Sequence, residues 1–252
     1  MSDAEFEAVT EANLSQFCYQ RYRYFTNPSE VTIHRHPDQP NTFVYQYDSF
    51  LTTYGHKGTV ELILADLTKN LDPATRYEVT FQNHHLPSIQ KYFGDFDLID
   101  EAGDEREGIN QLLTMQLDKA SFTPRRQLKT GKRIEGEMLG HFDPDLEEYA
   151  QTGVVYGIIE DAELISAAPV PFIRKEGKDS FAILHGVYTN ERYRQKGYAT
   201  GSVRAALNFL FTRKIIRSVF VWVDEENPGV EMYRKIGFES AGMWLGTNCF
   251  LR

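Results

Sequence analysis

The segment Arg194-Gln195-Lys196-Gly197-Tyr198-Ala199 constrains this chain more than any other. It stands between an apolar, strand-like run at 181–189 and a helix-like run at 197–211. The N–H groups at the start of a helix have no partner inside the helix, and the helix dipole favours negative charge there. Glycine at 197 lets a ligand approach the backbone closely, and the small Ala199 does not block that approach. The segment therefore predicts a site for a phosphate or pyrophosphate.

The spacing of this segment differs from the better-known phosphate loops, G-x-x-x-x-G-K-(S/T) and G-x-G-x-x-G. Its pattern, R-x-x-G-x-A, resembles the acyl-CoA pyrophosphate signature of the GNAT N-acetyltransferase superfamily, (Q/R)-x-x-G-x-(G/A). Downstream, Asn227-Pro228 and then Tyr-Arg-Lys-Ile-Gly-Phe at 233–238 resemble the second motif of that family, an asparagine followed by a helix ending in Y-x-K-x-G-F. The apolar runs at 154–168 resemble its central hairpin.

The resemblance covers residues 120–252 and implies the GNAT acyl-CoA N-acyltransferase fold. That fold is α/β (α+β), with a mixed, mostly antiparallel central sheet flanked by helices. We place a domain boundary near residue 118, because a polar and basic stretch follows it and then leads into the clear domain. Residues 119–252 are then the predicted catalytic GNAT domain, and residues 1–118 a second α/β domain that precedes it.

The N-terminal half contains a weak echo of the C-terminal half. Tyr-Gly-His-Lys-Gly at 54–58, followed by an apolar run, resembles 193–197 and its helix, and two later segments repeat in the same order. The echo predicts a tandem arrangement with a degenerate N-terminal GNAT-like domain. Val60 would take the place of Ala199, so this copy would be a poor pyrophosphate site. The alternative is an unrelated α/β extension with two chance resemblances.

The resemblance also implies which residues bind the cofactor. In the family, the strand before the loop splays away from its neighbour, and its backbone binds the pantetheine arm, here at 187–189. The resemblance implies that the N–H groups of residues 195–200 bind the pyrophosphate, and that the two basic side chains of the loop either add charge there or are simply solvated. Asn227 matches the asparagine of the second motif, although its spacing to Tyr233 is one residue shorter than in the family. The candidate cofactor-binding residues are Val187, Tyr188, Thr189, Arg194, Gln195, Lys196, Gly197, Tyr198, Ala199, Thr200 and Asn227.

Acetyl transfer from a thioester to an amine needs one group that stabilises the leaving thiolate and one that accepts the proton of the amine. Tyr233 matches the family tyrosine near the sulfur and is the candidate general acid. Many relatives carry a glutamate base where this chain has Ile183. His185 lies on the same face of the predicted strand and is the candidate base, directly or through water, because imidazole titrates near neutral pH. Glu160 and Glu163 are weaker candidates, and an ordinary structural role is the alternative for each of these residues.

The resemblance implies an N-acetyltransferase that transfers an acetyl group from acetyl-CoA, its cosubstrate, to a primary amine by direct attack in a ternary complex. The expected acceptor is a small-molecule amine or an amino-acid-like molecule. Three alternatives stay open: a transferase for a longer acyl-CoA, a non-catalytic acyl-CoA-binding pseudoenzyme, and a non-catalytic interaction module. The fold does not choose among acceptors.

Composition and charge limit the partners. The formal net charge of −9 argues against general nucleic-acid binding, which needs a basic field. No apolar run reaches the ~20 residues that span a bilayer, and the acidic start lacks the pattern of a signal peptide, so we expect a cytoplasmic protein without a membrane partner. Cys18 and Cys249 give no disulfide framework, and the histidines at 34–36 and 84–85 lack a third ligand, so we expect no metal. The oligomeric state, monomer or homodimer, stays open.

Overall fold

Strands and helices follow one another from residue 28 onward in the computed structural model, which describes residues 28–94, 97–98, 108–125, 129–135, 139, 144–174, 180–212, 216–249 and 251. The chain divides into two units. The first unit comprises residues 1–114, 224–227 and 242–252, and the second comprises residues 115–223 and 228–241. The domain boundary near residue 118 stays a prediction.

The described elements have the following bounds in chain order: a 3-10 turn (Pro28–Glu30), β1 (Val31–His36), β2 (Gln39–Tyr47), β3 (Phe50–Tyr54), α1 (Lys57–Leu67), β4 (Tyr77–Phe81), a 3-10 turn (Asn83–His85), α2 (Leu86–Phe93), β5 (Asp97–Leu98), β6 (Gly108–Asp118), β7 (Lys132–Ile134), α3 (Pro144–Thr152), β8 (Val154–Glu160), β9 (Glu163–Val170), β10 (Phe172–Arg174), β11 (Phe181–Leu184), β12 (Tyr188–Thr189), a 3-10 turn (Glu191–Tyr193), α4 (Tyr198–Thr212), β13 (Ser218–Asp224), α5 (Gly229–Ile236) and β14 (Glu239–Cys249).

The sheet of the first unit runs in the order β1-β2-β3-β4-β14. Its neighbours are antiparallel except β3 and β4, which are parallel and are connected through α1. Helix α1 buries Val60, Ile63, Leu64 and Leu67, whose spacing places them on one face of a helix. They pack with Val79 of β4 in the core, where each fully buried aliphatic side chain contributes about 1.5–3 kcal/mol.

The predicted central hairpin is confirmed in the second unit. Strands β8 and β9 pair antiparallel up to Glu160 opposite Glu163. The two residues between them, Asp161 and Ala162, have φ angles of 50° and 63°. Positive φ at both central positions is the type I′ turn, whose twist matches that of the flanking strands. Strands β12 and β7 extend this sheet in the order β12-β9-β8-β7.

Helix α4 lies against β8 and β9. Its predicted helical spacing is confirmed, because Val203, Leu207 and Leu210 are all buried. Gly201 is required by close packing, since a Cβ at this position would lie 2.3 Å from the carbonyl oxygen of Lys129. The glycine therefore lets α4 approach the backbone of Lys129, whose side chain reaches the end of β8.

A second sheet in this unit pairs β10 with β11 antiparallel and β11 with β13 in parallel. The chain passes from β12 through α4 to β13, so the helix forms a crossover between these strands. Each unit thus has mixed, mostly antiparallel strand pairing with helices packed against it. This confirms the predicted α/β (α+β) fold class.

Candidate active site

The strand before the loop changes partners. The sequence predicts one strand over 181–189, but the structure has two, β11 and β12, separated by residues 185–187. Strand β11 pairs with β13 as far as Leu184 opposite Val221, whereas β12 pairs with β9. Gly186 makes the change possible, because its φ of 62° is a backbone conformation that favours glycine. Strands β12 and β13 therefore diverge, as the resemblance implies.

The backbone of β12 is hydrogen-bonded to β9 on one side, and on the other side the carbonyl oxygen of Thr189 accepts from Arg194 Nε at 3.3 Å. Asn190 N–H donates to the carbonyl oxygen of Ile165 at 2.9 Å, and Ser166 Oγ donates to the carbonyl oxygen of Tyr188 at 2.8 Å. Backbone groups alternate in direction along a strand, so those of Thr189 point away from β9. Of the predicted pantetheine residues, Tyr188 is thus engaged with β9, while Thr189 faces the diverging side and Val187 directly precedes the strand.

The predicted pyrophosphate loop is a turn between the 3-10 turn and α4. Gln195 and Gly197 have φ angles of 60° and 84°, and the carbonyl oxygen of Gly197 accepts the first helical bond of α4, from Gly201 N–H at 3.0 Å. Among the described residues, no acceptor faces the N–H groups of residues 195–200. Successive N–H groups in a chain that alternates in handedness form an anion-binding concavity.

The space over the loop is open. A Cβ on Gly197 would meet no atom within 4 Å. Arg194 is exposed and forms an ion pair with Glu191, at 3.4 Å between Nη1 and Oε1. Lys196 Nζ donates to the carbonyl oxygen of Arg192 at 2.7 Å and is also exposed. The two basic side chains therefore stand at the surface of the loop, beside the open N–H groups.

The other loop residues turn inward. The Tyr198 ring is buried against Ile158 and Ile165, so this residue can offer a ligand its N–H group but not its ring. Ala199 and Thr200 are half-buried in the first turn of α4.

The two hairpin glutamates are already hydrogen-bonded. Glu160 accepts from Lys129 Nζ and from the hydroxyl of Tyr198, both at 3.0 Å, and these bonds lower the pKa of Glu160. Glu163 accepts from Asn190 Nδ2 at 2.6 Å and from the Tyr193 hydroxyl at 3.4 Å. A carboxylate whose pKa is lowered by donors is a weak proton acceptor, which disfavours Glu160 as the general base, and both oxygens of Glu163 are already occupied by hydrogen-bond donors.

Tyr233 is fixed in α5 by the glycine that ends the helix. Gly237 has a φ of 117°, and its N–H donates to Arg234 O at 3.0 Å while Phe238 N–H donates to Tyr233 O at 3.0 Å. These are the two bonds of a Schellman motif, which explains the spacing of Tyr233, Gly237 and Phe238 in the sequence. The Tyr233 side chain is 5% exposed, and burial raises its pKa well above the ordinary value for a phenol.

His185 lies directly after β11 and is half-buried. The Tyr149 ring packs edge-to-face against the imidazole of His185, with 5.7 Å between the ring centres. The backbone N–H of His185 donates to the carbonyl oxygen of Pro169 at 3.3 Å. Strand β11 ends at Leu184, one residue before His185. The alternation of side chains along a strand therefore does not place His185 on the same face as Ile183. Its place at the point where the two sheets diverge is independent of that alternation.

Asn227 belongs to the first unit. Its N–H donates to the carbonyl oxygen of Asp224 at 3.0 Å, and its side chain is exposed. Pro228 is the N-cap of α5, which begins at Gly229, so Asn227 lies directly before the cap.

Comparison with known protein families identifies the family of the C-terminal part of the chain, which carries both motifs. The GNAT acetyltransferase family profile matches residues 117–238. Residues 117–238 belong to the GNAT family. Solved structures below 25% identity share the fold: a GCN5-related N-acetyltransferase from Kribbella flavida has a TM-score of 0.60 at 9% identity, over 87% of this chain and 88% of its own.

Two further structures are similar to the whole chain or most of it. A GNAT-family acetyltransferase from Colwellia psychrerythraea has a TM-score of 0.57 at 10% identity, over 99% of this chain and 97% of its own. A tandem GNAT protein from the clavulanic acid biosynthesis pathway has a TM-score of 0.56 at 12% identity, over 83% of this chain and 78% of its own. No curated protein sequence matches the chain.

Membership of the GNAT family supports an acyltransferase that binds an acyl-CoA. The GNAT region brings together β12, the loop and the start of α4 in one continuous stretch. Sequence reasoning missed the structural partners of this stretch, Asn190 and Tyr193, which bind Glu163. A signal for Tyr193 is present in the sequence, because two tyrosines, at 193 and 198, stand on either side of the glycine turn.

Metal and membrane features can be assessed for the described residues only. No group of three or more His, Cys, Asp or Glu residues among them could hold a metal ion. The histidines at 84 and 85 instead bind the carbonyl oxygen of Gly55 through Nε2, at 3.0 and 2.9 Å. None of the described helices has the length and apolar character needed to cross a membrane.

Proposed function

We propose that the protein is an N-acetyltransferase that transfers an acetyl group from acetyl-CoA to a primary amine within a ternary complex. The observation that carries the proposal is the open turn before α4, where Gly197 has a φ of 84° and no atom within 4 Å of a Cβ position. The N–H groups of residues 195–200 are free to bind the pyrophosphate there. Membership of residues 117–238 in the GNAT family supports the acyltransferase class.

Bound acetyl-CoA would supply a thioester carbonyl as the electrophile. The amine nitrogen attacks the carbonyl carbon, the C–S bond breaks, the amine proton passes to a base and the sulfur receives a hydrogen bond or proton. Tyr233 is the proposed donor to the sulfur. Burial raises its pKa, so the hydroxyl stays protonated at neutral pH. Full transfer to a thiolate whose thiol has a pKa of roughly 8.5 is then uphill, and Tyr233 acts mainly by hydrogen bonding.

His185 is the proposed proton acceptor, directly or through water. Ile183, which takes the place of the glutamate in relatives, is only 2% exposed, so β11 supplies no carboxylate there. His185→Gln should remove the acidic limb of the kcat/KM pH profile. An amine of different pKa, run in parallel, separates this limb from the ionisation of the acceptor itself. An unchanged limb would assign His185 to packing and leave water as the acceptor.

We propose in addition that the first unit is a degenerate GNAT-like domain. Its elements β3, α1, β4 and α2 follow the same order as β12, α4, β13 and α5, and in both units the helix connects to a strand in a parallel pair. The similarity to a tandem GNAT protein supports this interpretation. The alternative is an unrelated α/β extension.

The buried Ile183 favours one second candidate, an acyl-CoA-binding pseudoenzyme. Two measurements separate the candidates: calorimetric titration with CoA, and thiol release from acetyl-CoA or longer acyl-CoA thioesters with a panel of small-molecule and amino-acid-like primary amines. The proposed enzyme binds CoA and releases thiol fastest from acetyl-CoA with at least one amine. A pseudoenzyme binds CoA and releases none, and a protein that does not bind CoA is neither. A cytoplasmic location belongs to the same proposal.

A further inference from the structure

Two tyrosines flank the loop, and each is hydrogen-bonded to a glutamate at the end of the β8–β9 hairpin. Tyr193 donates to Glu163 Oε2 at 3.4 Å, and Tyr198 donates to Glu160 Oε2 at 3.0 Å. The glutamates lie opposite each other in the hairpin register. We propose that these two bonds, here called the tyrosine clamps, hold the loop at 194–197 in the conformation that binds the pyrophosphate of acyl-CoA. This inference rests on the proposed function.

Glu163 holds both ends of the 3-10 turn that leads into the loop. Its Oε1 accepts from Asn190 Nδ2 at 2.6 Å, which orients the amide so that Asn190 Oδ1 accepts from Arg192 N–H at 3.2 Å. The Tyr193 hydroxyl binds the other carboxylate oxygen at the far end of the turn. Asn190 N–H also donates to Ile165 O on β9. The entry to the loop is thus tied to β9 by backbone and side chains together.

Glu160 holds the exit from the loop. Tyr198 is the first residue of α4, and its hydroxyl and Lys129 Nζ donate to the two oxygens of Glu160. Lys129 Nζ also lies 4.5 Å from the centre of the Tyr198 ring, a cation–π contact. Because Tyr198 begins the helix, fixing its ring fixes the direction in which the first N–H groups of α4 point.

The loop between the clamps has little packing of its own. Arg194, Gln195, Lys196 and Gly197 are all exposed. Gln195 is a non-glycine residue with a φ of 60°, a conformation that costs roughly 1 kcal/mol or more. The clamped tyrosine rings, which pack edge-to-face at 5.5 Å, oppose relaxation of this strained segment. The clamps therefore act through the loop and not on the reacting atoms, which makes their members positioning residues.

The test uses Tyr198→Phe and Tyr193→Phe, which remove one hydroxyl each and keep the rings. Calorimetry should show CoA affinity about tenfold weaker for Tyr198→Phe, corresponding to ~1.4 kcal/mol. The loss should be smaller for Tyr193→Phe, whose bond is longer. At saturating acetyl-CoA, kcat of Tyr193→Phe should be that of the parent, and kcat of Tyr198→Phe should fall by a smaller factor than its CoA affinity. With S-acetylpantetheine, a donor that lacks the pyrophosphate, kcat/KM should be the same for the parent and Tyr193→Phe and should fall by less than the CoA affinity for Tyr198→Phe.

Matched variants complete the test. Tyr77→Phe removes a hydroxyl that accepts from Asp72 N–H at 3.0 Å, outside the site, and should keep CoA affinity. Glu160→Gln retains an oxygen that accepts from Tyr198 and should keep more affinity than Glu160→Ala. Parent-like CoA binding by both clamp variants would overturn the proposed role of the clamps but not the proposed function. A loss of kcat/KM with S-acetylpantetheine as large as the loss of CoA affinity would do the same. A parent protein that does not bind CoA overturns the proposed function as well.

Discussion

The turn before α1 and the turn before α4 stand at the same place in two similar series of elements, but one is filled and the other is open. In the first unit, Gly55 N–H donates to Gln82 Oε1 at 3.3 Å and His56 N–H donates to Thr42 Oγ1 at 3.0 Å. In the second unit, a Cβ on Gly197 would meet no atom within 4 Å. A helix N-terminus can bind a ligand only where the protein's own side chains leave its N–H groups free.

The filling of the first turn extends to its carbonyl oxygen. His84 and His85 both approach Gly55 O through Nε2, at 3.0 and 2.9 Å. The other ring nitrogen of His85 bonds to Thr53 Oγ1 at 2.8 Å, and the ring is fully buried. Both Nε2 atoms must donate to a shared carbonyl, so Nδ1 of a neutral His85 accepts from Thr53. The first turn is therefore a closed hydrogen-bonded cluster.

Helices α2 and α5 differ in a corresponding way. Each ends at a glycine of positive φ, Gly94 at 100° and Gly237 at 117°. Four residues earlier stands Gln90 in α2 and Tyr233 in α5, and each carbonyl oxygen accepts from the N–H of the glycine, at 3.0 and 3.1 Å. The ψ angles of the two glycines differ, 177° at Gly94 and 11° at Gly237, and only α5 has a tyrosine four residues before its glycine. The proposed chemistry of the second unit depends on the hydroxyl of Tyr233, which α2 lacks at the corresponding position.

The largest expected effect comes from Tyr233→Phe. The change keeps the ring and its packing but removes the proposed donor to the sulfur, so kcat should fall by roughly 10²–10³ while CoA affinity changes little. Steady-state kinetics and calorimetry measure the two quantities on the same protein. A kcat near that of the parent would remove the distinction drawn between α2 and α5.

The next effect is on stability and concerns the filled turn. A Cβ on Gly55 would lie 2.5 Å from Thr42 Oγ1 and 2.8 Å from Asn41 O, and Gly55 has a φ of 105°. Gly55→Ala should therefore lower the free energy of unfolding by about 2–3 kcal/mol, from steric overlap and backbone strain. Urea unfolding followed by circular dichroism measures the change. CoA affinity of the folded fraction should stay that of the parent, because the proposed pyrophosphate site is the other turn, before α4.

A glycine-to-alanine substitution in the open turn should weaken CoA binding, unlike the substitution at Gly55. Gly197→Ala adds a methyl group where no protein atom stands but where the pyrophosphate would lie, so CoA affinity should fall about tenfold to thirtyfold, or roughly 1.4–2 kcal/mol. Gly94→Ala is the matched control, since Gly94 has a φ of 100° and equally open space outside the site. Equal stability loss in both variants with CoA affinity lost only in Gly197→Ala would sharpen the comparison; parent-like CoA binding by Gly197→Ala would break it.

Local signals in the sequence predicted much of the second unit. The helical spacing of apolar residues predicted α4, and two apolar runs that flank a short polar turn predicted β8 and β9, because both patterns depend on neighbouring residues. The single strand predicted over 181–189 was wrong, since Gly186 redirects the chain to β9. No local pattern reports such a change of partner.

The difference between the two turns also could not be predicted. The residues that fill the first turn, Thr42 and Gln82, are distant in sequence from Gly55, and only the pairing of β2, β3 and β4 places them there. Glu163 reaches Asn190 across a similar distance through the pairing of β9 and β12. Side chains that fill or hold a turn are set by tertiary register, so the echo in the sequence indicated a shared fold but not a shared function.

The smallest expected effect is a pH dependence confined to the filled turn. The pKa of His85 is lowered to about 4, mainly by burial, with smaller lowering effects of His84 and Lys57 and an opposing effect of its bond to the Gly55 carbonyl oxygen. An unfolded histidine has a pKa of about 6.5, so between pH 6.5 and 4 the unfolded chain binds more protons than the folded one. Stability from this group is fully present above about pH 6.5 and is lost as the pH falls through that window.

Because the cluster lies near the surface, the loss at pH 5 should be about 1 kcal/mol, below the value for a fully desolvated ring. Urea unfolding at pH 7 and pH 5 measures this loss. Carboxylates that titrate in the same range contribute equally to the parent and to His85→Gln, so the difference between the two proteins isolates the contribution of His85. Glutamine cannot be protonated here, so the variant should lose less stability than the parent between the two pH values. His84→Gln removes an exposed ring and should keep most of the pH dependence of the parent, because burial is the largest cause of the lowered pKa of His85. Identical pH dependence in the parent and His85→Gln would mean that the filled turn tolerates a charged imidazole, and that its closure rests on Thr42 and Gln82 alone.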